Sequence, residues 1–312
     1  MKRFYILYIW LIICALFSPS ECLADNHHAD QILLRAKTSL EKNEYNDALN
    51  HFLEYVKIEE KKDKKDTLNL INAYKNIGGI YSVYQNFAQA LDLYEKAYAL
   101  CLGSSYHQVR FQILNNMIGA NCNLGKWQEA EKLNKQIVNM PGVGKGEKLF
   151  YYYFNKGFIA NYANDCNEKV KWMKLANEVV DKYQLPLKMK AYPYSEMYQC
   201  YEKQGELTKA LNVLLIYDSL AHLVNKIKSP ENRGQAYLIA DCYKGLMRIY
   251  TKLGDKEKAL FYQNAYFSYN DSILNVNEFS KIRNEYQTYE DQLTQETITS
   301  QQKTIFYQKL LL

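Results

Sequence analysis

The chain has 312 residues, with 39 lysines and arginines against 34 aspartates and glutamates, which gives a net charge of +5. The positive charges are interleaved with acidic residues, and the sequence has no basic stripe of the kind that nucleic-acid binding needs. Tyrosine is abundant at 29 residues, whereas proline numbers 5 and glycine 13. With no strand-like alternation of any length, this composition predicts an all-α protein that does not bind nucleic acid directly.

The N-terminus carries an export pattern. Lys2 and Arg3 precede an uncharged apolar run over residues 4–17, and a small-residue stretch, Cys22-Leu23-Ala24, follows. A membrane-spanning helix needs about 20 apolar residues, so the shorter run predicts a secretory signal peptide over residues 1–24. An uncleaved anchor is the alternative. We therefore expect export to the periplasm or cell envelope of a Gram-negative bacterium.

A two-helix pattern then recurs along the chain. In residues 74–97, apolar positions follow a helical period on both sides of a short turn, and Gly78 and Ala90 are the small residues that let the two helices approach closely. The position of Ala90 recurs every 39 to 49 residues, at Ala48, Ala90, Ala130, Lys169, Ala210 and Ala259. The preceding turn position is occupied by Asn43, Gln85, Gly125, Asn164, Gly205 and Gly254. Asparagine and glycine tolerate the left-handed conformation that ends a helix, so the pattern predicts about six helical hairpins.

This pattern resembles the tetratricopeptide repeat, in which glycine or alanine recurs at two close-packing positions and an aromatic residue precedes the second. The resemblance covers residues 29–270. It implies a domain over residues 25–270 in which about six hairpins stack as a right-handed superhelical solenoid. Beyond Asp271 the repeat stops, and a polar helical pattern predicts an extended capping or stalk helix over residues 271–312.

The end of the array resembles that of exported bacterial sensors. The segments Asp271-Ser272-Ile273 and Lys281-Ile282-Arg283, with residues 286–290, carry this resemblance. In such sensors a helical stalk leads to a membrane span and to a cytoplasmic helix-turn-helix or histidine kinase domain. Three leucines at 310–312 stand where the span would begin, and we expect neither span nor output domain within this sequence.

The sequence contains no recognisable catalytic or metal-binding pattern. The five histidines show no ligand spacing, and the glycine-rich stretch 141–146 lacks the spacing of a phosphate loop and is better interpreted as a linker between repeats three and four. No C-x-x-C pair occurs among the cysteines outside the signal segment, which are Cys101, Cys122, Cys166, Cys200 and Cys242. They are expected to be small core residues, although a disulfide between adjacent repeats stays open. We predict no enzyme activity, no metal and no cofactor.

The family resemblance implies that the first helix of each hairpin lines a concave groove that holds a protein or peptide. Carried over to this sequence, the groove positions are Asn72, Lys75, Asn76, Gln112, Asn115, Asn116, Tyr151, Phe154, Asn155, Phe158, Lys244 and Arg248. Asparagine amides both donate and accept hydrogen bonds and suit a peptide main chain, and the aromatic residues would serve as apolar anchors. The alternative is that these asparagines bond locally between neighbouring helices.

Three hypotheses about function follow. The first is a non-enzymatic interaction module in the periplasm, which forms the sensing or input part of a signalling or transcriptional regulator. The second is an envelope scaffold or adaptor that holds a stable partner and has no signalling role. The third, an envelope hydrolase or transferase, would need a catalytic cluster that the sequence does not reveal. Contact with a membrane is expected only through the signal peptide or a downstream span, and the sequence leaves the oligomeric state open.

Overall fold

The computed structural model describes residues 19–42, 44–103, 105–162, 164–226 and 236–273, with five single positions between 295 and 302. The predicted signal peptide lies outside the described residues up to position 18. The predicted capping or stalk helix lies outside them from position 274 onward, except at those five positions. Asn43, the first of the predicted turn residues, also lies outside them.

The ordered elements are helices, and no strand occurs among the described residues. They are α1 (Pro19–Glu41), α2 (Tyr45–Glu60), α3 (Thr67–Val83), α4 (Phe87–Cys101), α5 (His107–Asn123), α6 (Trp127–Ile137), α7 (Lys145–Tyr162), α8 (Cys166–Tyr183), α9 (Leu187–Lys203), α10 (Leu207–Lys226), α11 (Ala236–Leu253) and α12 (Lys256–Ile273). Consecutive odd- and even-numbered helices pack as six hairpins, and these are numbered one to six below. The predicted all-α repeat solenoid is confirmed.

The helices fall into two compact units, α1–α10 and α11–α12. In the first unit the second helix of each hairpin packs on the first helix of the next one, so that α2 contacts α3, α4 contacts α5, α6 contacts α7 and α8 contacts α9. Each hairpin thus buries its apolar face against its neighbours in the chain, as expected for a solenoid. The second unit is a single hairpin, α11 packed on α12.

The turns inside hairpins two to six share one conformation. The φ angles are 61° at Gln85, 73° at Gly125, 60° at Asn164, 77° at Gly205 and 80° at Gly254. In each turn, the amide of the residue after the left-handed one donates to the carbonyl five positions before itself, for example Lys126 N to Asn121 O at 2.8 Å. This bond satisfies a helix-end carbonyl. The left-handed turns predicted from glycine and asparagine are confirmed at the four described positions that carry these residues, and Gln85 adopts the same conformation.

The glycines at the predicted close-packing positions face the second helix of their own hairpin. A Cβ atom on Gly78 would lie 2.6 Å from Cε1 of Tyr94 and 3.1 Å from the carbonyl oxygen of Ala90. A Cβ atom on Gly157 would lie 2.4 Å from the terminal methyl of Met173. Since carbon atoms in proteins pack at about 3.5–4 Å, a side chain at Gly78 would force α3 and α4 apart, whereas at Gly157 the flexible end of Met173 would have to move.

Tyrosine contributes much of the core. Among the largest side chains that are almost fully buried are Tyr55, Tyr81, Tyr198 and Tyr217. Tyr198 on α9 and Tyr217 on α10 stack with ring centroids 6.3 Å apart. The abundance of tyrosine therefore reflects large rings that fill the space between helices whose backbones are held together by small residues.

One described helix, α10 (Leu207–Lys226), has the length and apolar composition of a membrane span. It packs along α9, and Leu214, Tyr217, Ala221 and Val224 are buried on one face. A core helix of a solenoid passes the same test of length and composition, so this finding is weak evidence for a membrane segment.

Candidate functional site

The first helices of hairpins two, three and four form one continuous side of the first unit. Helix α5 packs directly against α3 and against α7. In the part of the chain that the structure describes, the second helices make no comparable contact with one another. The row of first helices is therefore the more closely spaced side of the stack, which is the concave side of a curved array.

A cavity of about 600 Å³ opens on this side, between α3, α5, α7 and the start of α9, and we call it the groove cavity. Its lining residues are Lys75, Gln108, Phe111, Gln112, Asn115, Asn116, Glu147, Tyr151, Leu185, Pro186, Lys188 and Met189. Five of the predicted groove residues are among them: Lys75, Gln112, Asn115, Asn116 and Tyr151. Three successive first helices bring these five together.

The polar lining of the groove cavity bridges adjacent first helices. Nζ of Lys75 on α3 donates to Oε1 of Gln112 on α5 at 2.8 Å. Nε2 of Gln108 on α5 donates to the carboxylate of Glu147 on α7 at 3.2 and 3.3 Å. Burial lowers the pKa of Lys75, and the nearby Cys101 thiol opposes this shift. These pairs hold long polar side chains in place along the cavity, so that a ligand would meet a partly ordered surface.

The other wall of the groove cavity is aromatic and apolar. Phe111 is fully buried, and the ring of Tyr151 meets it edge to face with centroids 5.4 Å apart. Tyr151 also meets the ring of Phe150 edge to face at 5.2 Å. Burial raises the pKa of Tyr151, with smaller contributions from Tyr192 and Glu147, so its hydroxyl is neutral at physiological pH. Met189 completes this wall from α9.

Asn116 differs from its neighbours in the groove cavity. Its side chain is partly exposed, and it makes no hydrogen bond with any described residue. Nδ2 of Asn115, one position before it, donates to the carbonyl of Phe111 in the same helix at 2.9 Å. The Asn116 amide is thus available to pair with a ligand.

Asn155 takes a different role from the one predicted. It is 5% exposed, and its Nδ2 donates to Oδ1 of Asn115 at 2.9 Å and to Oδ1 of Asn134 at 3.1 Å. Nδ2 of Asn134 in turn donates to the carbonyl of Tyr152 at 3.1 Å. This buried amide network joins α5, α6 and α7. Asn155 therefore bonds locally between neighbouring helices, which was the alternative to a role in ligand binding.

The remaining predicted groove residues do not line the groove cavity. Asn72 donates to the carbonyl of Leu68 in its own helix at 2.9 Å, and Asn76 is partly buried. Phe154 stacks on Phe150 with centroids 5.5 Å apart and is partly buried. Phe158 lies instead in a second cavity, described next. Lys244 and Arg248 belong to α11 in the second unit; Lys244 is exposed and Arg248 partly buried.

The second cavity, of about 550 Å³, was not predicted from the sequence, and we call it the Lys169 cavity. Lys169 is 3% exposed, although it occupies the position that is a buried alanine in four of the other hairpins. Its ammonium group forms an ion pair with Glu196 on α9 and lies 5.8 Å from the centroid of the Phe158 ring. The lysine at a position that is otherwise small was the only sequence signal for this site. It does not indicate that Glu196 would be the partner.

Three cysteines, Cys122, Cys166 and Cys200, also line the Lys169 cavity. Burial raises the pKa of Cys122 and of Cys200 to about 12 each. Among the described residues, no group of three or more histidine, cysteine or acidic side chains is arranged to hold a metal ion. The chemistry available here is that of an ion pair and of thiols.

No protein-family model matches the sequence, and no curated protein matches it. The structure, in contrast, is similar to solved helical-repeat proteins. A Rap protein crystallised in complex with competence and sporulation factor matches with a TM-score of 0.54 at 11% identity, over 78% of this chain and 74% of that one. Aspartyl phosphate phosphatase F from Bacillus subtilis matches with a TM-score of 0.52 at 10% identity, over 87% of this chain and 82% of that one.

A third similar structure is a signal transduction ATPase with numerous domains from Pyrococcus horikoshii, which has a tetratricopeptide repeat sensor. It matches with a TM-score of 0.51 at 19% identity, over 80% of this chain but 36% of that one. At such low identities these matches bear on the fold alone. With the repeated turns, the close-packed glycines and the stacked hairpins, they show that the chain has the fold of the tetratricopeptide-repeat proteins.

Proposed function

We propose that the chain is a non-enzymatic interaction module whose groove cavity binds a protein or peptide segment. The observation that carries the proposal is the meeting of Lys75, Gln112, Asn116 and Tyr151, from three successive first helices, around one open cavity. One wall is apolar and the other carries amides, which is the arrangement that orients a ligand while burying its apolar part.

The lining suggests the kind of segment that binds. The Asn116 amide would pair with a peptide main chain, whatever its sequence, because it offers both a donor and an acceptor. The partly exposed ring of Tyr151, which packs on the buried Phe111, would receive one apolar side chain of the ligand. The charged lining groups are two lysines and one glutamate, so a neutral or acidic segment suits the cavity better than a basic one.

A double variant tests this site. Asn116→Ala combined with Tyr151→Ala removes the available amide and the aromatic wall, and loss of one anchor of this type costs about 2 kcal/mol or more, which is about a 30-fold loss of affinity. Binding would be measured by fluorescence anisotropy, with labelled peptides that were first selected for binding to the wild-type chain. The matched control, Asn225→Ala with Tyr98→Ala, changes the same residue types outside the cavity. Equal affinity of both variants, at unchanged helix content, would exclude the groove cavity as the binding surface.

The finer proposal is that this module is exported and forms the input part of a signalling or transcriptional regulator. It is supported by the basic and apolar N-terminus and by the resemblance of residues 271–290 to the end of exported sensor arrays. Residues 1–30 fused to a reporter enzyme that is active only in the periplasm should yield activity. Reading the transcript beyond codon 312 should reveal about 20 apolar codons followed by an output domain; a stop codon directly after Leu312 would remove the support for an input role.

The alternative is an envelope scaffold without a signalling role. It predicts a partner that stays bound in a stoichiometric complex through gel filtration, whereas an input domain predicts a ligand that exchanges during the run. The same purified chain and the same column distinguish the two functions.

A further inference from the structure

The Lys169 cavity brings together two cysteines from neighbouring hairpins. Cys166 is the first residue of α8 in hairpin four, and Cys200 lies near the end of α9 in hairpin five. Both belong to one buried cluster, with Val170, Met173 and Met197. The Cys166 thiol is close enough to contribute to the raised pKa of Cys200. Two cysteines 34 positions apart in the sequence therefore pack in one buried cluster across the boundary between hairpins.

The cavity gives this pair a route to solvent. Both cysteines line it, and Cys166 is the more accessible, at 8% exposure against 2% for Cys200. Cys101 on α4 and Cys242 on α11 are fully buried and do not line it. A small reagent that enters the cavity would therefore reach Cys166 and Cys200, and also Cys122, which is partly exposed at the same cavity.

We propose that Cys166 and Cys200 form a disulfide that links hairpins four and five when the chain meets a disulfide oxidant. The Cys166 thiolate attacks one sulfur of the oxidant, releases one thiol and forms a mixed disulfide. The Cys200 thiolate then attacks the Cys166 sulfur and releases the second thiol. Two protein thiols lose two electrons and two protons, and the oxidant disulfide is reduced to two thiols, so the step is balanced.

The surroundings set the conditions under which the bond forms. Burial raises the pKa of Cys200 to about 12, the contact with Cys166 adds to this shift, and the ammonium group of Lys169 opposes it. Because only thiolates attack disulfides, the reaction should be slow at neutral pH and should accelerate as the pH rises toward that value. Formation of this disulfide does not depend on the proposed function of the groove cavity. Export matters to it only because an exported chain meets an oxidising compartment.

The test uses the purified full chain, folded, with oxidised glutathione as the oxidant. After incubation, free thiols are alkylated and the chain is digested with trypsin, which places Cys166 on residues 157–169 and Cys200 on residues 191–203. Cys101, Cys122 and Cys242 fall on three other peptides. The expected result is one linked species of the two peptides, lighter than their sum by two hydrogen atoms, which disappears on reduction with dithiothreitol.

A stability measurement supplies a second readout. Closing a loop of about 34 residues should raise the thermal midpoint of the oxidised chain on the order of 10 °C above that of the reduced chain. Cys166→Ser should abolish this difference, and the matched control Cys242→Ser should preserve it. A linked peptide pair that includes Cys122 instead of Cys166 or Cys200 would overturn the proposal. Full alkylation of both cysteines after treatment with oxidised glutathione, and with the smaller oxidant diamide, would also overturn it.

Discussion

The most direct test of the close packing within a hairpin is a pair of alanine substitutions at adjacent glycines. Gly78 and Gly79 lie side by side in α3, but a Cβ atom on Gly79 would meet nothing within 4 Å. On Gly78 it would lie 2.6 and 2.9 Å from ring atoms of Tyr94 and 3.1 Å from the carbonyl oxygen of Ala90. The two variants therefore add the same methyl group to the same helix, once into a tight contact and once into open space.

The magnitudes follow from two opposing effects. Replacing glycine by alanine inside a helix stabilises it by about 1 kcal/mol at either position. Overpacking a core costs about 1–3 kcal/mol. The upper part of that range applies at Gly78, because the Tyr94 ring is 2% exposed and its hydroxyl is held by Ser82 at 3.0 Å, so the ring cannot simply swing away. We expect Gly78→Ala to destabilise the first unit by about 1–2 kcal/mol and Gly79→Ala to stabilise it by about 1 kcal/mol.

The assay is urea denaturation followed by far-UV circular dichroism, with both variants measured beside the wild type. Their difference isolates the packing contribution, because the gain in helix propensity is common to both. Gly157→Ala provides an intermediate case, since its nearest neighbour is the flexible end of Met173. If Gly78→Ala and Gly79→Ala proved equally stable, the close approach of α3 and α4 at Gly78 would be refuted.

Three other predictions concern buried polar groups. Asn155→Ala removes the donor of the buried amide network and should cost about 2–3 kcal/mol in urea denaturation, whereas Asn116→Ala should stay within about 0.5 kcal/mol; equal effects would contradict the network. Lys169→Met leaves Glu196 without its partner and should cost about 3–5 kcal/mol, and adding Glu196→Leu should recover most of that loss; no recovery would show that the ion pair is not the cause. Burial raises the pKa of the Asp218 carboxyl, and the nearby His222 opposes this shift. The protonated carboxyl therefore stabilises the fold most below its ordinary pKa of about 4, and this stabilisation is lost as the pH rises through the higher pKa of the folded state. Asp218→Asn should therefore be more stable relative to wild type at neutral pH than in acid, and a pH-independent difference in urea midpoint would contradict that sign.

The sequence was sufficient to predict the repeated fold because each hairpin carries its own local signals. Left-handed turns need residues such as glycine and asparagine, and close helix contacts need small side chains. These residues recur in the same order in each hairpin and can be recognised without knowing the partner helix. Gln85 shows how far the repeat context extends, since it adopts the same φ as the glycines at its position although its own residue type does not favour it.

The candidate site was harder to predict because a helix face can turn toward solvent or toward a neighbouring hairpin. Asn116 and Asn155 occupy equivalent positions in hairpins three and four, yet one is open to a ligand and the other is buried between helices. The difference depends on Asn115 and Asn134, which lie 40 and 21 positions away from Asn155 in the sequence. No local pattern specifies such distant partners, and the same holds for Glu196 beside Lys169.

The buried polar pairs also bear on how such an array can change over evolutionary time. Arrays of stacked hairpins gain and lose units by duplication and recombination, which works best when every junction is equivalent. The Asn115–Asn155–Asn134 amides and the Lys169–Glu196 pair tie hairpin four to specific partners on both sides, because a transplanted hairpin would leave one of these groups buried without its partner. Hairpins three to five should therefore be inherited as one block.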